Sequence, residues 1–266
     1  MPPIPLFEQF RGDLIQALMA FFSTLLGACV GSFLNVCLHR WKSGGQIFYP
    51  PSYCPKCHKS ILWYDNIPII SFVLLKAQCR FCQKPISWQY PLVELLTAFL
   101  FGLSPLCFSD HMFLIIASFF FVSFLILLTV SDIQWRLLPH PFNNLYILTG
   151  AVFCFINVFS RVDLYVAASN FVLIGFLLFL TTQFIPKGLG GGDIKMGAAL
   201  AIWLGLSKTL WALAISFGFG LLLMLPLLVM KKVTKKTMIP FGPFLASGSL
   251  LVWFQPELIK RIGIGI

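Results

Sequence analysis

The sequence predicts an all-α polytopic membrane protein with about eight transmembrane helices and a small loop domain after the first of them. Three observations support this fold class: the mean hydropathy is +0.88, 58% of the 266 residues are hydrophobic, and long uncharged segments recur along the chain. Only 11% of the residues are charged, whereas soluble domains carry about 25%. The composition therefore excludes an ordinary soluble domain.

Eight uncharged segments are the predicted spans. A helix needs about 20 residues to cross about 30 Å of hydrocarbon, and most of the segments reach or approach that length. The second is long enough if its helix begins at Pro91, which puts Glu94 in the first turn. The sixth is a half-span or continues past Lys208. In order, the segments are Leu14 to Leu38, Leu95 to Phe108, Met112 to Val130, Pro141 to Ser160, Leu164 to Pro186, Gly197 to Ser207, Thr209 to Met230 and Met238 to Gln255.

The first segment is predicted to be a retained helix rather than a signal peptide. Its apolar core is too long, and no clear small-residue cleavage site precedes the polar segment that follows. The only sizeable extramembrane segment comes next. We therefore divide the chain into a first transmembrane helix over residues 1–38, a loop domain over 39–90 and a transmembrane core over 91–266.

The positions of the basic residues predict the orientation in the membrane. If the N-terminus lies outside, eight alternating spans put fourteen of the 19 Lys and Arg residues on one face and five on the other. By the positive-inside rule the richer face is cytoplasmic, and the loop domain lies on that face. The net charge of +10 therefore indicates topology and contact with anionic membrane lipids, and it gives no reason to predict nucleic-acid binding.

The loop domain contains two C-x-x-C pairs, Cys54 with Cys57 and Cys79 with Cys82, separated by 21 residues. Four thiolates in two such pairs can close a tetrahedral zinc site, although this spacing is slightly longer than that of most zinc ribbons. Disulfides are disfavoured in the cytosol, so structural zinc is favoured and a redox or unmetallated pair is the alternative. Metal would supply folding energy to a loop with little apolar core. Core packing is predicted for the other four cysteines, Cys29, Cys37, Cys107 and Cys154.

Two aspartates mark the ends of apolar segments on the same predicted membrane face. Asp132 follows the third span and Asp193 precedes the sixth, in a chain with only 9 acidic residues. An ionisable group at the membrane edge is costly, so the pair is a candidate functional site. Each aspartate also has a structural alternative. Asp132 can pair with Arg136, and Asp193 can cap the helix that follows it.

A glycine-rich turn, Gly188-Leu-Gly190-Gly191-Gly192-Asp193-Ile-Lys195, leads into the second aspartate. Such a run permits positive φ angles and the close approach of another chain, so Gly190 and Gly192 are candidates for an active-site loop that contacts an extended peptide. Lys195 is a candidate for the same loop, and its alternative role is a membrane-edge anchor.

Further short motifs follow one another from about residue 27 to residue 248. They are Gly31-Ser-Phe-Leu-Asn-Val36, the two C-x-x-C pairs, Trp63-Tyr-Asp-Asn-Ile-Pro68, Tyr90-Pro-Leu-Val-Glu-Leu-Leu96, Asp132 followed by Leu137-Leu-Pro139, Gly190-Gly-Gly-Asp193-Ile-Lys195 and Pro240-Phe-Gly-Pro243. This ordered set resembles the motifs of bacterial type IV prepilin peptidases over nearly the whole chain. The resemblance implies a G-x-G-D intramembrane aspartyl protease of the inner membrane that removes a short basic leader from prepilins and pseudopilins.

The resemblance also assigns roles to residues. It makes Asp132 and Asp193 the catalytic pair and the four loop cysteines the metal ligands, and it implies an S-adenosylmethionine-dependent methylation of the new N-terminus. We expect one carboxyl group to keep its proton while the other activates a water molecule. For Glu94, a negative charge suits the N-terminus of a helix, and methyl transfer or substrate contact is the alternative.

Three positions depart from the family pattern. His140, Gly191 and Gln89 stand where family members often have Asp, a bulkier residue and Arg. None of the three belongs to the aspartate pair, whereas the change at Gln89 bears on methyl transfer.

Two other functions compete with proteolysis. One is a proton-coupled transporter, which predicts inverted repeats and acids near the bilayer midplane, and the sequence has no clear repeat of that kind. The other is a membrane methyltransferase with structural aspartates. The chain has no Ser, His and Asp set, H-E-x-x-H helix or G-x-x-x-x-G-K-[ST] loop, which argues against serine-protease, zinc-protease and nucleotide-driven chemistry.

Overall fold

A computed structural model describes residues 6–46, 49, 51–109, 111–156, 164–184, 189–230 and 240–261. These residues form α-helices and one short 3₁₀ helix, with no β-strand among them. The helices are α1 (Leu6–Ser43), α2 (Ile70–Leu74), α3 (Gln89–Cys107), α4 (Met112–Trp135), α5 (His140–Phe155), α6 (Leu164–Phe184), α7 (Gly191–Leu204), α8 (Leu206–Val229) and α9 (Gly242–Arg261), and the 3₁₀ helix is Trp63–Asn66. The predicted all-α fold class is confirmed.

Among the described residues, five helices are long and apolar enough to cross a membrane: α1, α3, α4, α6 and α8. The chain is therefore a multi-pass membrane protein. Helices α5 and α7 have 16 and 14 residues, fewer than the roughly 20 that a full crossing needs. Eight crossings remain a prediction. The predicted segment ends at Ser160, Pro186 and Met238 lie outside the described residues.

Packing divides the chain into two compact units, residues 1–123 and 124–266. In the first unit, α1 packs along α3 through small residues. A Cβ atom added at Gly27 would lie 2.7 Å from the Cβ of Phe101, and one added at Gly31 would lie 2.7 Å from the Cα of Glu94. Lipid tails are as apolar as the helices, so close packing of this kind drives helix association in membranes.

In the second unit, α7 is the central helix and is buried from Met196 to Leu204. Its Trp203 ring stacks on Tyr146 of α5, with 5.6 Å between ring centroids and 14° between planes. The Trp203 Nε1–H donates a hydrogen bond to the backbone oxygen of Tyr146 at 3.0 Å. Trp253 of α9 meets the same indole edge to face at 6.3 Å. One buried indole thus contacts both α5 and α9, the helices that carry residues around the two aspartates.

The contact between α1 and α3 predicts the effect of one added methyl group. Gly27→Ala puts a Cβ against backbone atoms of α3 at 2.7 and 2.8 Å, which a side-chain movement cannot relieve. Overpacking of this kind costs about 1–3 kcal/mol, so the melting temperature of the purified protein should fall by several degrees. Gly12→Ala, in the same helix but with nothing within 4 Å, is the matched control. Equal melting temperatures for the two variants would contradict the close contact.

Candidate active site and metal centre

Asp132 lies in the last turn of α4 and is 4% exposed. Its helix ends there because Arg136 takes a left-handed φ of +52°, and the Arg136 N–H donates to the backbone oxygen of Asp132 at 2.8 Å. The Asp132 Oδ2 accepts a hydrogen bond from the backbone N–H of Gly242 at 2.7 Å. Gly242 is the first residue of α9, so the carboxyl group lies at the positive end of that helix.

Asp193 is half-buried in the first turn of α7. The N-cap residue is Gly190, so Asp193 acts from the third position of the helix rather than as its N-cap. Its Oδ2 accepts a hydrogen bond from the Gly190 N–H at 3.0 Å. Its Oδ1 is buried and has no hydrogen-bond partner among the described residues. One oxygen of this carboxyl group therefore remains available for a further polar group.

The two carboxyl groups lie close enough to interact electrostatically, although 61 positions separate them in the sequence. The structural alternative for Asp132, an ion pair with Arg136, is not observed. Among the described residues the one ion pair joins Arg80 to Asp65 at 2.6 Å, in the loop domain. The two predicted site aspartates thus interact in the second unit, and neither forms an ion pair with any residue that the structure describes.

The glycines before Asp193 act through close approach. Gly190 is extended, with φ −76° and ψ 153°, and Gly191 and Gly192 begin α7, so none of these three residues uses the positive φ that glycine permits. A Cβ added at Gly192 would lie 2.8 Å from the Cβ of Leu138, whereas one added at Gly191 would have nothing within 4 Å. Gly192 therefore lets the start of α7 pack against the turn between α4 and α5, and Gly191 leaves open space beside Asp193.

Two residues of this site have no role in the sequence-based prediction. Asn143 of α5 is fully buried, and its Nδ2–H donates to the backbone oxygen of Gly192 at 3.1 Å. Gly242 supplies the N–H that binds Asp132. The available signals were an amide in an apolar segment and the glycine of the Pro240-Phe-Gly-Pro243 motif. Neither signal indicates its partner, because both partners are distant in sequence.

Lys195 lies at the exposed edge of the same site. Its Nζ is 3.5 Å from the Nδ1 of His140, one of the three positions that depart from the family pattern. The side chain therefore extends towards the start of α5 rather than into the buried interior.

Glu94 belongs to the first unit, and the expectation that it lies in the first turn of its helix is wrong. Helix α3 begins at Gln89 and has no acid in its first turn, because the helix starts upstream of Pro91, whose ring is tolerated near a helix N-terminus. Glu94 is 7% exposed, and its Oε2 accepts a hydrogen bond from the Ile69 N–H at 2.7 Å. Ile69 has a φ of +63°, which is rare for a β-branched residue. Glu94 thus binds a strained turn of the loop domain.

The four loop cysteines form one cluster. Their sulfur atoms all lie within 4.8 Å of one another, and the Sγ atoms of Cys54 and Cys82 are 3.9 Å apart. A tetrahedral site with metal–sulfur distances of about 2.3 Å needs sulfur atoms about 3.8 Å apart. The donor set and its spacing therefore fit a metal ion.

The two C-x-x-C pairs adopt the same local structure. The N–H of Cys54 donates to the oxygen of Lys59 at 2.9 Å, and the N–H of Cys79 donates to the oxygen of Lys84 at 3.0 Å. Four positions after the first cysteine of each pair, the backbone takes a left-handed φ: 57° at His58 and 53° at Gln83. Each pair is thus a tight knuckle that turns both of its sulfur atoms to one side.

The electrostatics of the cluster favour a bound cation. Backbone N–H groups of Cys82 and Phe81 lower the pKa of Cys79 to about 7. The pKa of Cys82 is raised to about 11, because the hydrogen bond from Lys84, which lowers it, is outweighed by desolvation and by the other sulfur atoms. A bound cation would offset the negative charge of the neighbouring sulfur atoms that raises the pKa of Cys82.

Core packing holds for three of the four remaining cysteines. Cys37, Cys107 and Cys154 are buried, whereas Cys29 is exposed, so the prediction is wrong for Cys29. Cys29 lies two residues from both Gly27 and Gly31, which places it on the side of α1 opposite the contact with α3.

Fold and site together define a multi-pass membrane protein with a pair of interacting aspartates in one unit and, in the other, a loop with four clustered cysteines that could hold a metal ion. Residues 25–108 match the family model described as the Bacterial Peptidase A24 N-terminal domain, and residues 119–225 match that of the Type IV leader peptidase family. The chain belongs to the type IV leader peptidase family, and the resemblance seen in the motifs is confirmed.

Curated relatives cover nearly the whole chain. A type 4 prepilin-like proteins leader peptide-processing enzyme of Escherichia coli is 32% identical, covering 95% of this chain and 99% of that protein. A prepilin leader peptidase/N-methyltransferase of Neisseria gonorrhoeae is 32% identical, covering 90% of this chain and 91% of its own length. A protein of the same description from Bacillus subtilis is 31% identical, covering 88% of this chain and 94% of that protein. No solved structure matches the chain.

Adjacent glycines at the start of α7 allow a matched test of the packing around Asp193. Gly192→Ala should lower the melting temperature by several degrees, because its Cβ would meet Leu138 at 2.8 Å and overpacking costs about 1–3 kcal/mol. Gly191→Ala should leave the melting temperature unchanged or raise it slightly, since its Cβ enters open space. Thermal unfolding of the two purified variants checks this, and an equal loss in both would show that Gly192 is not in close contact with the α4–α5 turn.

Proposed function

We propose that this chain removes the leader peptide from type IV prepilins and pseudopilins by hydrolysis, with Asp132 and Asp193 as the catalytic pair. The observation that carries the proposal is the convergence of two carboxyl groups in a unit where the described residues pair neither of them with a cation. Membership of the type IV leader peptidase family supports the substrate class. The names of the relatives, which are leader peptidases, support it as well.

Each carboxyl group has a defined part in the proposed reaction. One is ionised and takes a proton from a water molecule held between the pair, and the water oxygen then forms a bond to the scissile carbonyl carbon. The protonated carboxyl group donates its proton to the carbonyl oxygen, which gives a tetrahedral gem-diol intermediate. When this intermediate collapses, the C–N bond breaks, the nitrogen takes the proton that the first carboxyl group received from water, and a gem-diol hydroxyl returns a proton to the second carboxyl group. The leader leaves with a new carboxyl group, and the mature chain has a free N-terminal amine. Gly242 holds Asp132 and Gly190 holds Asp193 through backbone N–H groups, so the carboxyl groups are oriented before substrate arrives.

The substrate is proposed to reach the site in an extended conformation. Gly191 has no side chain and nothing within 4 Å, and Gly190 is itself extended, so backbone of another chain can come close to Asp193. Lys195 borders this space. The charge distribution supports an inner-membrane protein with its N-terminus outside and the site on the cytoplasmic face, where a basic leader remains before translocation.

We further propose that the first unit methylates the new N-terminus with S-adenosylmethionine, as the names of relatives suggest. A cavity of about 330 Å³, within the size range of small-molecule sites, is lined by Asn35, Tyr53 and Glu94 among others. These polar and aromatic groups suit an adenosyl group and a cationic sulfonium, which would supply the methyl group to the amine. Gln89 donates a hydrogen bond to Asn35 at 3.4 Å, so the unusual residue at position 89 contacts the wall of this cavity.

We propose that the cysteine cluster binds zinc and that the zinc is structural. Four sulfur donors at tetrahedral spacing suit zinc. Among the described residues from 41 to 88, only Cys54 and Ser71 are buried, so the loop has almost no hydrophobic core. Metal binding would therefore supply much of its folding free energy.

The aspartate pair predicts two inactive variants. Asp132→Asn and Asp193→Asn should each lower the rate of prepilin cleavage by between about a hundredfold and ten-thousandfold, because each removes one partner in proton transfer. The measurement is cleavage of a purified prepilin by the full chain reconstituted in lipid vesicles. Asp13→Asn, at an exposed aspartate of α1, is the matched control and should cleave normally.

The same reconstitution separates the competing functions. Methyl incorporation on a pre-cleaved substrate should persist in both aspartate variants, which shows that they fold. Full cleavage by either variant would refute the catalytic assignment. Methylation without cleavage by the unmodified chain would indicate a methyltransferase with structural aspartates, and proton-coupled transport alone would indicate a transporter.

The metal centre predicts a fixed stoichiometry. Protein purified without chelator should contain about one zinc ion per chain by elemental analysis, since four cysteines complete one tetrahedral site. Cys54→Ser together with Cys57→Ser should abolish the zinc and make the loop sensitive to protease. Cys29→Ser changes an exposed cysteine outside the cluster and should retain the zinc. Zinc-free protein with a protease-resistant loop would contradict the structural role.

A further inference from the structure

The short helix α2 presents an apolar face that no described residue covers. Ile70, Val73 and Leu74 stand at positions i, i+3 and i+4, which share one side of a helix, and they are 54%, 68% and 76% exposed. The remaining sides face the domain: Ser71, on the flank of the helix, is buried, and its hydroxyl donates to the backbone oxygen of Tyr64 at 2.9 Å. The orientation of the helix is thus set from within the loop, and its apolar face points outwards.

Contacts with α3 place this helix beside a membrane span. The ring of Phe72 meets the ring of Trp88, the residue directly before α3, at 4.9 Å. The Ile69 N–H, at the start of α2, donates a hydrogen bond to Glu94 of α3. Glu94 lies five residues after the first residue of α3, which is about 7.5 Å along the helix axis at about 1.5 Å per residue. Helix α3 is long and apolar enough to cross a membrane. The start of α2 is therefore level with the first turns of a span, where a bilayer begins.

The composition of the surroundings matches an anionic membrane surface. Trp88, directly before the first residue of α3, is 68% exposed, in the position that interfacial tryptophans occupy. The loop from residue 39 to 90 has seven Lys or Arg residues and a single acid, Asp65, which Arg80 pairs through two hydrogen bonds of 2.6 Å. Lys76 is exposed two residues after α2. Basic side chains beside an apolar face are typical of segments that lie in the interface of anionic bilayers.

We propose that the α2 face, formed by Ile70, Val73 and Leu74, inserts into the headgroup region of the bilayer and holds the four-cysteine loop against the membrane. The occupant of this face is lipid, with anionic headgroups attracted by Lys76 and by the excess of basic residues in the loop. A face exposed in water would lose the hydrophobic free energy that insertion recovers. The loop then has three attachments to the membrane: α1, α3 and the α2 face. This inference does not depend on the proposed catalytic activity.

Photocrosslinking in a defined bilayer tests the proposal. The photoreactive residue p-benzoylphenylalanine replaces Leu74 in the full chain, which is placed in nanodiscs of phosphatidylcholine with a minority of phosphatidylglycerol. After irradiation, mass spectrometry should show phospholipid adducts at position 74, several-fold more than when the same residue replaces Tyr49. Tyr49 is the matched control because it is an aromatic residue of the same loop with a similar exposure, 71%. Phosphatidylglycerol should be enriched in the adducts above its share of the bilayer.

Each other outcome counts against a stated part of the proposal. Crosslinks to a second copy of the chain, or to an added prepilin in place of lipid, would make the α2 face a protein interface. Equal lipid labelling at positions 49 and 74 would show that the α2 face does not contact lipid specifically. Lipid adducts without phosphatidylglycerol enrichment would refute the role of the basic side chains. The same probe at Val73, with metal content measured in both proteins, guards against a local folding defect. Absence of lipid adducts at both positions in metal-loaded protein would overturn the proposal.

Discussion

Burying a carboxyl group among apolar helices costs free energy unless hydrogen bonds replace the lost water. This cost governs the local packing inside each of the two units. Three buried or half-buried acids in spans or core helices meet it in the same way, by accepting a hydrogen bond from a backbone N–H. Asp132 uses Gly242, Asp193 uses Gly190, and Glu94 uses Ile69. For Asp132 and Glu94 the donor lies on a different segment of the chain, so each bond also fixes the position of that segment. The carboxyl groups thus connect segments of the chain and are also candidate functional groups.

Small residues make these hydrogen bonds between segments possible. A backbone N–H reaches a carboxyl group on another helix only if the two backbones come close, and Gly242 would place any added Cβ 2.8 Å from the Oδ2 of Asp132. Gly31 and Gly192 lie in contacts of the same kind, beside Glu94 and near Asp193. In a membrane, where apolar side chains gain little from leaving lipid, such close contacts supply much of the packing free energy. The same glycines therefore serve stability and the geometry of the acids.

The loop of the first unit meets a different constraint. Almost none of its described side chains is buried, and its backbone contains several non-glycine residues with positive φ, including His58, Ile69 and Gln83. Such conformations persist only where the surroundings enforce them. The cysteine cluster enforces the turns at His58 and Gln83, and Glu94 of α3 enforces the turn at Ile69. A loop with so little core thus depends for its shape on the cysteine cluster and on the span that follows it.

The sequence by itself determined the fold class, the helices of the longest apolar segments, the four-cysteine cluster and the family. Each of these depends on a local signal: uncharged length predicts a span, C-x-x-C spacing predicts a knuckle, and ordered motifs identify relatives. Only the tertiary structure decided that Gly242 binds Asp132 and that Asn143 donates a hydrogen bond to Gly192. It also decided that Glu94 binds a loop turn from the second turn of its helix and that Cys29 faces outwards. These features depend on which helices pack together and how closely. Local patterns do not record that information, because the free energy of a contact between distant residues is realised only once the helices have assembled.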